Sequence, residues 1–174
     1  RKLESDVFLK WVNDNGYETH RIQNNLSFEG CGDTIVSNNR LIAGYGFRTD
    51  LKALKICADI LNLDLTYLKL ANEKFYHLDT CFCLLDDDLA IYYPDAFSKY
   101  TISKIKDIEL IPVSNYNAKM FVCNSVVYKK NVIMPYGNNT VANMLKVRGF
   151  NVIQLDTSEF LKSGGSLQCM VLWI

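Results

Sequence analysis

The sequence predicts an α/β fold built from repeated units, each a strand, a second strand, a helix and a third strand. Three pairs of short apolar runs, each interrupted by a polar turn, recur along the chain and are typical of β-hairpins. A segment with helical apolar periodicity follows each pair, and a further short apolar run follows each helix. Because such units bury their faces only against neighbouring units, we expect them to assemble around a common axis.

The elements of the three units follow in order. The hairpins are predicted at 33–45, 80–93 and 124–136, with the turns Asn-Asn, Asp-Asp-Asp and Lys-Lys-Asn. The helices are predicted at 49–63, 96–106 and 139–148, and the third strands at 65–70, 109–113 and 150–155. Thr49 is a favourable N-cap residue for the first helix, and Gly149 is the favoured residue type just past the end of the last helix.

Partial units flank these three. A helix at 4–15 and a strand at 17–22 match the second half of a preceding unit, and residues 166–173 match a single closing strand. The units therefore cover about 23–70, 71–113 and 114–155. The chain starts without Met, so we expect an incomplete ring that lacks N-terminal units, the C-terminal part of one catalytic domain.

Composition excludes several classes of partner. The chain has 174 residues, and 19 Lys and Arg balance 19 Asp and Glu, so it offers no excess of cations to nucleic acid. Its apolar runs are too short to span a bilayer. Six cysteines without a C-x-x-C pair indicate a reduced, cytoplasmic protein rather than a disulfide scaffold or a zinc ribbon. The sequence leaves the oligomeric state open, a homo-oligomer included.

Polar or reactive residues recur at the entrance of successive units. Asp33, Asp79, Asn124 and Cys169 are separated by 46, 45 and 45 residues. The spacing therefore predicts that these residues occupy equivalent positions at the entrance of successive units.

Three segments have residue types that packing explains poorly. They are Ser-Phe-Glu-Gly-Cys-Gly-Asp at 27–33, Phe-Tyr-His-Leu-Asp-Thr-Cys-Phe at 75–82 and Ser-Gly-Gly-Ser-Leu-Gln-Cys-Met at 163–170. In the second, His77 and Asp79 are two positions apart and are predicted on one face of a strand. Each segment alone also has an ordinary structural explanation. The first fits a tight turn with solvated acids, the second a structural histidine and the third ordinary core.

Taken together, the three segments supply a cysteine, a histidine and carboxylates. A thiolate needs a base or a cation nearby, and histidine acts as both acid and base. Carboxylates beside a thiolate are unfavourable unless the substrate is cationic. A guanidinium resolves this conflict, because it is positive, planar and binds carboxylates in a bidentate manner.

The segments Phe-Glu-Gly-Cys-Gly-Asp, Tyr-His-Leu-Asp-Thr-Cys-Phe and Gly-Gly-Ser-Leu-Gln-Cys resemble signature motifs of the guanidine-modifying superfamily. This superfamily holds arginine deiminases, dimethylarginine dimethylaminohydrolases, arginine dihydrolases and glycine amidinotransferases. The resemblance is greatest to hydrolases of the dimethylargininase and arginine dihydrolase kind, and extends over 17–173. It implies a pentein fold, five such units around a pseudo-fivefold axis, in agreement with the repeat.

The resemblance also implies the roles of individual residues. Cys169 matches the nucleophile, His77 the general acid and base, and Glu29 the acid that holds the guanidinium and orients the histidine. Asp79 matches a second guanidinium ligand, and Arg48 an arginine that binds the substrate carboxylate.

Two further residues lie near the implied site. Asp33 is expected to be structural, and Asn124 to be structural or to contact the substrate. The partner is a small guanidino compound. No metal or organic cofactor is expected, because the substrate brings its own positive charge.

The expected reaction is hydrolysis through a covalent thiouronium intermediate, giving a ureido product and ammonia or an amine. Two alternatives stay open at this point. An amidinotransferase would share the intermediate but pass the amidino group to an amine. A non-catalytic pentein, acting as a binding module, or an inactive fragment would need no intact set of Cys169, His77 and Glu29.

Overall fold

The computed structural model describes residues 2–22 and 25–172, and these contain three separate three-stranded sheets. In every sheet the middle strand pairs antiparallel to the strand before it and parallel to the strand after it. The first sheet contains β1 (Thr34–Ser37), β2 (Arg40–Tyr45) and β3 (Asp64–Lys69); the second β4 (Phe82–Asp86), β5 (Leu89–Tyr92) and β6 (Glu109–Pro112); the third β7 (Val126–Tyr128), β8 (Asn131–Pro135) and β9 (Asn151–Leu155). The predicted hairpins and their parallel third strands are confirmed.

The longest helices lie where apolar periodicity predicted them. The helices are α1 (Lys2–Asp14), α2 (Leu51–Leu61), α3 (Lys99–Ile102), α4 (Asn115–Lys119), α5 (Asn139–Val147) and α6 (Ser158–Leu161). Helices α2 and α5 each connect the second strand of a sheet to the third, the crossover that a parallel pair requires. Gly149 has a φ of +87° and follows the C-cap residue of α5, Arg148, as its place past the helix end predicted.

The apolar core joins the sheets to their helices. One cluster extends through the second and third units and includes the fully buried Phe82, Ile91 and Leu145. A smaller cluster lies under α2, where Leu41 and Leu54 are both buried. The core thus fixes the sheets relative to their helices and leaves the loops at the strand ends to carry polar groups.

Thr49 does not cap the first predicted helix. Its hydroxyl donates to a carboxylate oxygen of Asp33 at 2.6 Å and accepts the backbone N–H of Glu29 at 3.1 Å. The helix therefore begins two residues later, at Leu51, with Asp50 at the N-cap.

The predicted helix at 96–106 is much shorter in the structure. A 3-10 turn at Pro94–Ala96 precedes α3, which covers only Lys99–Ile102. The Ser98 N–H donates to the Lys69 carbonyl at 2.9 Å, and the Thr101 hydroxyl accepts the Lys69 N–H at 3.0 Å. These bonds join the segment to the end of β3, so a longer helix does not form.

Three predicted strand assignments are wrong. Residues 17–22 form no strand, and a 3-10 turn, Leu78–Thr80, replaces the strand expected to carry His77 and Asp79. In 166–172 a 3-10 turn, Gln168–Met170, replaces the closing strand, and Trp173 lies outside the described residues. The N–H groups of Ser166 and Gln168 bond to Asn124 instead of to a neighbouring strand.

A search of the described residues for a helix long and apolar enough to cross a membrane finds none.

Candidate active site

Three turns meet at one end of the three sheets and surround a cavity of about 480 Å³. They are the 3-10 turns Gly30–Gly32, Leu78–Thr80 and Gln168–Met170. Six side chains of chemical interest line this cavity: Glu29, Arg48, Tyr76, His77, Asp79 and Cys169. The structure therefore brings together groups that are up to 140 residues apart in sequence.

Asp33 connects the first turn to the second. Its carboxylate accepts the Leu78 N–H at 3.0 Å and the Thr49 hydroxyl at 2.6 Å, and the residue is fully buried. Burial raises the pKa of Asp33, and the two hydrogen bonds oppose that rise. Asp33 therefore connects the backbone of the second turn to the side chain of Thr49.

Close packing fixes the position of His77. A Cβ atom on Gly32 would lie 3.0 Å from the imidazole Nδ1, closer than side chains tolerate without a shift. Glycine at this position lets the first turn pass directly over the imidazole. The second glycine of the predicted motif thus has a steric reason in the structure.

Cys169 lies in the third turn, beside Asp79. Its Sγ is 3.5 Å from Oδ2 of Asp79, and the Asp79 side chain is buried. Burial, and then the charge of Asp79, raise the pKa of the Cys169 thiol. Within the described residues, Oδ1 of Asp79 is also buried and has no hydrogen-bond partner. An anionic cavity floor of this kind favours a cationic ligand that donates hydrogen bonds.

Asn124 lies behind Cys169 and is fully buried. Its amide donates to Sγ of Cys169 at 3.3 Å and to the Asp79 carbonyl at 3.2 Å. Its side-chain oxygen accepts the N–H groups of Ser166 at 2.9 Å and Cys169 at 3.4 Å. These bonds go to the loop that carries the thiol, and Asn124 is not among the residues that line the cavity.

Arg48 lies at the outer part of the cavity, and its guanidinium carbon is 5.2 Å from the ring centroid of Tyr76. Among residues 2–22 and 25–172, no carboxylate lies within ion-pair distance of Arg48.

The sequence does not single out Tyr76 as a site residue, because an aromatic residue before an apolar strand is ordinary core. Its position directly before His77 is the signal that would have drawn attention to it.

The part of the chain that the structure describes contains no metal-binding cluster of side chains. No group of three His, Cys, Asp or Glu side chains there is arranged to hold a metal ion. Cys81 and Cys83, which follow His77 in sequence, are buried in the core. Burial raises the pKa of both thiols, that of Cys83 to about 12, so they stay protonated near neutral pH.

The charge of Asp79 makes stability depend on pH. Burial raises the pKa of Asp79 from its ordinary value of 3.8 to about 7. The folded chain therefore keeps this proton at pH values where the unfolded chain has lost it, and the free energy of unfolding falls as pH rises through that window. We expect Asp79→Asn to remove most of this fall, which amounts to about 3–4 kcal/mol between about pH 4 and about pH 8.

Denaturant titrations of the full-length protein at about pH 4 and about pH 8 measure this difference. Asp59→Asn, an exposed change on α2, is the control and should keep the pH dependence of the unchanged protein. An Asp79→Asn protein with that same dependence would contradict the assignment of the buried charge to Asp79.

The comparisons with known proteins agree with this geometry. The chain is 35% identical over 99% of its length to the bifunctional arginine dihydrolase/ornithine cyclodeaminase AgrE of Nostoc sp., and covers 25% of that protein. It is 38% identical over its whole length to the N(G),N(G)-dimethylarginine dimethylaminohydrolase of Mycobacterium tuberculosis, and covers 58% of it. Its structure matches the N-terminal domain of ArgZ, an arginine dihydrolase from cyanobacteria, with a TM-score of 0.94 and 36% identity. This match covers 99% of the chain and 65% of the ArgZ domain.

Fold and site together define a member of the guanidine-modifying superfamily with the pentein fold. The expected α/β pentein class is thereby confirmed. Residues 1–174 match the family model described as "N,N dimethylarginine dimethylhydrolase, eukaryotic", and the chain belongs to this family. It spans less than two thirds of the length of the relatives described above.

Proposed function

We propose that this chain carries the nucleophile and the acid–base group of a hydrolase that acts on a guanidino compound of the arginine or methylarginine type. The observation that carries the proposal is the meeting of Cys169 with the buried Asp79, at 3.5 Å, in one cavity with His77 and Glu29. A ligand that is cationic, planar and rich in N–H groups matches these acceptors.

The proposed reaction has two stages. The Cys169 thiolate attacks the guanidinium carbon, and the carbon–nitrogen bond to the leaving group then breaks. His77 gives a proton to the departing ammonia or amine, which leaves a thiouronium on the sulfur. Water then attacks the same carbon, His77 takes its proton, and the carbon–sulfur bond breaks to release the ureido product and the thiolate.

The surrounding residues have distinct proposed roles. Glu29 and Asp79 accept hydrogen bonds from the guanidinium, and the substrate charge offsets the effect of Asp79 on the Cys169 pKa. Asn124 holds the thiol from behind, so we propose that it acts on Cys169 rather than on the substrate. The names of the relatives support hydrolysis, and the ArgZ domain has been seen covalently bonded to a reaction intermediate.

Arg48 provides a test that distinguishes substrates with an α-carboxylate from substrates without one. We propose that its guanidinium binds the substrate α-carboxylate. Arg48 lines the cavity, its side chain is exposed, and its guanidinium lies over the ring of Tyr76. A charged hydrogen bond of this kind contributes about 1.5–3 kcal/mol. Arg48→Ala should therefore raise KM about 10- to 150-fold for arginine or dimethylarginine, and leave KM for agmatine, which has no carboxylate, nearly unchanged.

Steady-state kinetics of the full-length protein with the three compounds, with product identification by mass spectrometry, make this measurement. Arg148→Ala is a matched control, because Arg148 pairs with Glu109 at 2.7 Å on the surface and does not line the cavity. Equal changes in KM for agmatine and the amino acids would show that Arg48 does not bind a carboxylate. No turnover of any of the three compounds would exclude the proposed substrate class.

A further inference from the structure

Tyr76 contacts three parts of the candidate site at once. Its hydroxyl donates to the Gly164 carbonyl at 2.8 Å, which joins it to the loop that leads to Cys169. Its ring packs edge-on against the imidazole of His77, with centroids 4.8 Å apart. The same ring lies under the guanidinium of Arg48, at 5.2 Å. The three partners come from separate segments of the sequence.

The contact with Gly164 fixes the conformation of the 163–165 loop. Gly164 has a φ of +81°, and a Cβ atom there would lie 3.3 Å from the Tyr76 oxygen, so another residue would strain the backbone and displace the tyrosine slightly. The next residue, Gly165, passes equally close to the thiol, since a Cβ atom on it would lie 3.2 Å from Sγ of Cys169. A shift of the Gly164 carbonyl therefore moves backbone that is in contact with the nucleophile.

The contact with Arg48 involves the ring of Tyr76 instead of its hydroxyl. A guanidinium over an aromatic face is attracted by the ring, and the ring also limits the directions in which this long side chain points. Within the described residues, this ring is the only partner that the Arg48 guanidinium has by hydrogen bond, ion pair or ring contact. The orientation of Arg48 thus depends on Tyr76.

We propose that Tyr76 is a positioning residue that sets the distance between the carboxylate-binding Arg48 and the Cys169 nucleophile. Its hydroxyl bonds to the 163–165 loop that leads to Cys169, and its ring supports the guanidinium of Arg48. One rigid side chain therefore links the position of the bound substrate to the position of the attacking thiol. This inference rests on the proposed function for its kinetic part, whereas the hold on the loop is independent of any substrate.

Two variants separate the hydroxyl from the ring. Tyr76→Phe keeps the ring and loses the bond to Gly164, so we expect kcat to fall about 2- to 10-fold for arginine and agmatine alike, with KM nearly unchanged. Tyr76→Leu also loses the support of Arg48. We expect it to show the same fall in kcat and, in addition, a rise in KM of about 2- to 5-fold for arginine but not for agmatine.

Hydrogen exchange supplies a readout without substrate. The N–H groups of Gly164 and Ser166 are hydrogen-bonded, at 3.0 and 2.9 Å, and we expect both to exchange faster in the two Tyr76 variants. Tyr100→Phe and Tyr100→Leu are matched controls. Tyr100 is 71% exposed on α3 and also has a cation over its ring, Lys104 at 4.4 Å, but does not line the cavity.

The experiment uses the full-length protein and all four variants, with kinetics on both substrates and exchange measured residue by residue. Unchanged kcat and unchanged exchange in Tyr76→Phe would overturn the proposal, as would an equal rise in KM for both substrates in Tyr76→Leu. If the unchanged protein hydrolyses neither substrate, the proposed function fails, and exchange at Gly164 and Ser166 alone then decides whether Tyr76 holds the loop.

Discussion

The Cys169→Ser protein is expected to lose turnover of every guanidino substrate, by at least about 10⁴-fold, which is the scale on which loss of a covalent nucleophile acts. A serine hydroxyl ionises far less readily than a thiol, and here it would lie beside the buried Asp79 carboxyl, which disfavours a second negative charge. Rates of product formation by the full-length protein measure the loss. Cys57→Ser, which changes a half-buried thiol on α2, should keep the rate of the unchanged protein.

Alkylation tests the same thiol without turnover. Burial and Asp79 raise the Cys169 pKa, so neutral iodoacetamide should label it slowly in the absence of ligand. A cationic haloacetamidine brings its own positive charge to the carboxylates and should label it much faster. Glu29→Gln should reduce the difference between the two reagents. Equal labelling rates, or labelling of Cys57 or Cys123 before Cys169, would contradict the assignment of this cavity to guanidine chemistry.

The second large effect is expected for Asn124→Ala. This change removes the donor to Sγ of Cys169 and the acceptor of two N–H groups, those of the buried Ser166 and of Cys169. We expect the free energy of unfolding to fall by about 2–4 kcal/mol, because those N–H groups lose their partner. The Asn124 hydrogen bond lowers the Cys169 pKa, so its loss should raise that pKa and move the pH profile of iodoacetamide labelling to higher pH.

Asn138 offers a control that is equal in burial and bonding. It is also fully buried, donates to the Pro135 carbonyl at 2.9 Å and accepts from the Asn117 side chain at 3.0 Å, far from the thiol. Asn138→Ala should destabilise the fold by a similar amount without moving the labelling profile. A shift of equal size in both variants, or none in Asn124→Ala, would show that Asn124 is a packing residue alone.

Much of the fold could be predicted because its signals are local. Alternating apolar runs around polar turns determine the hairpins, and helical periodicity determines α2 and α5. Two of the three wrong strand assignments share one physical cause, because a distant side chain accepts a hydrogen bond from the backbone of each segment. The Leu78 N–H bonds to Asp33 and the Ser166 N–H to Asn124, so neither segment forms the strand that its apolar pattern favoured.

Several residues that line the candidate cavity could be named from the sequence, but their arrangement could not be predicted. The resemblance to known motifs pointed to Cys169, His77 and Glu29, and the cavity contains all three. Spacing alone could not show that Asn124 lies behind the thiol, nor that Tyr76 contacts both Arg48 and the Gly164 loop. Such contacts depend on side-chain directions at the ends of elements, which follow from tertiary packing rather than from periodicity.

The distances along the chain between the cavity groups have a consequence for refolding. Sγ of Cys169 meets Asp79 across 90 residues, and Tyr76 meets Gly164 across 88, whereas the pairing within each hairpin spans only a few. Closing long loops is entropically costly, so contacts of high sequence separation form late. During refolding from denaturant, β-structure measured by circular dichroism should therefore return before catalytic activity. The lag should report the docking of the last turn, Gln168–Met170, onto the three sheets.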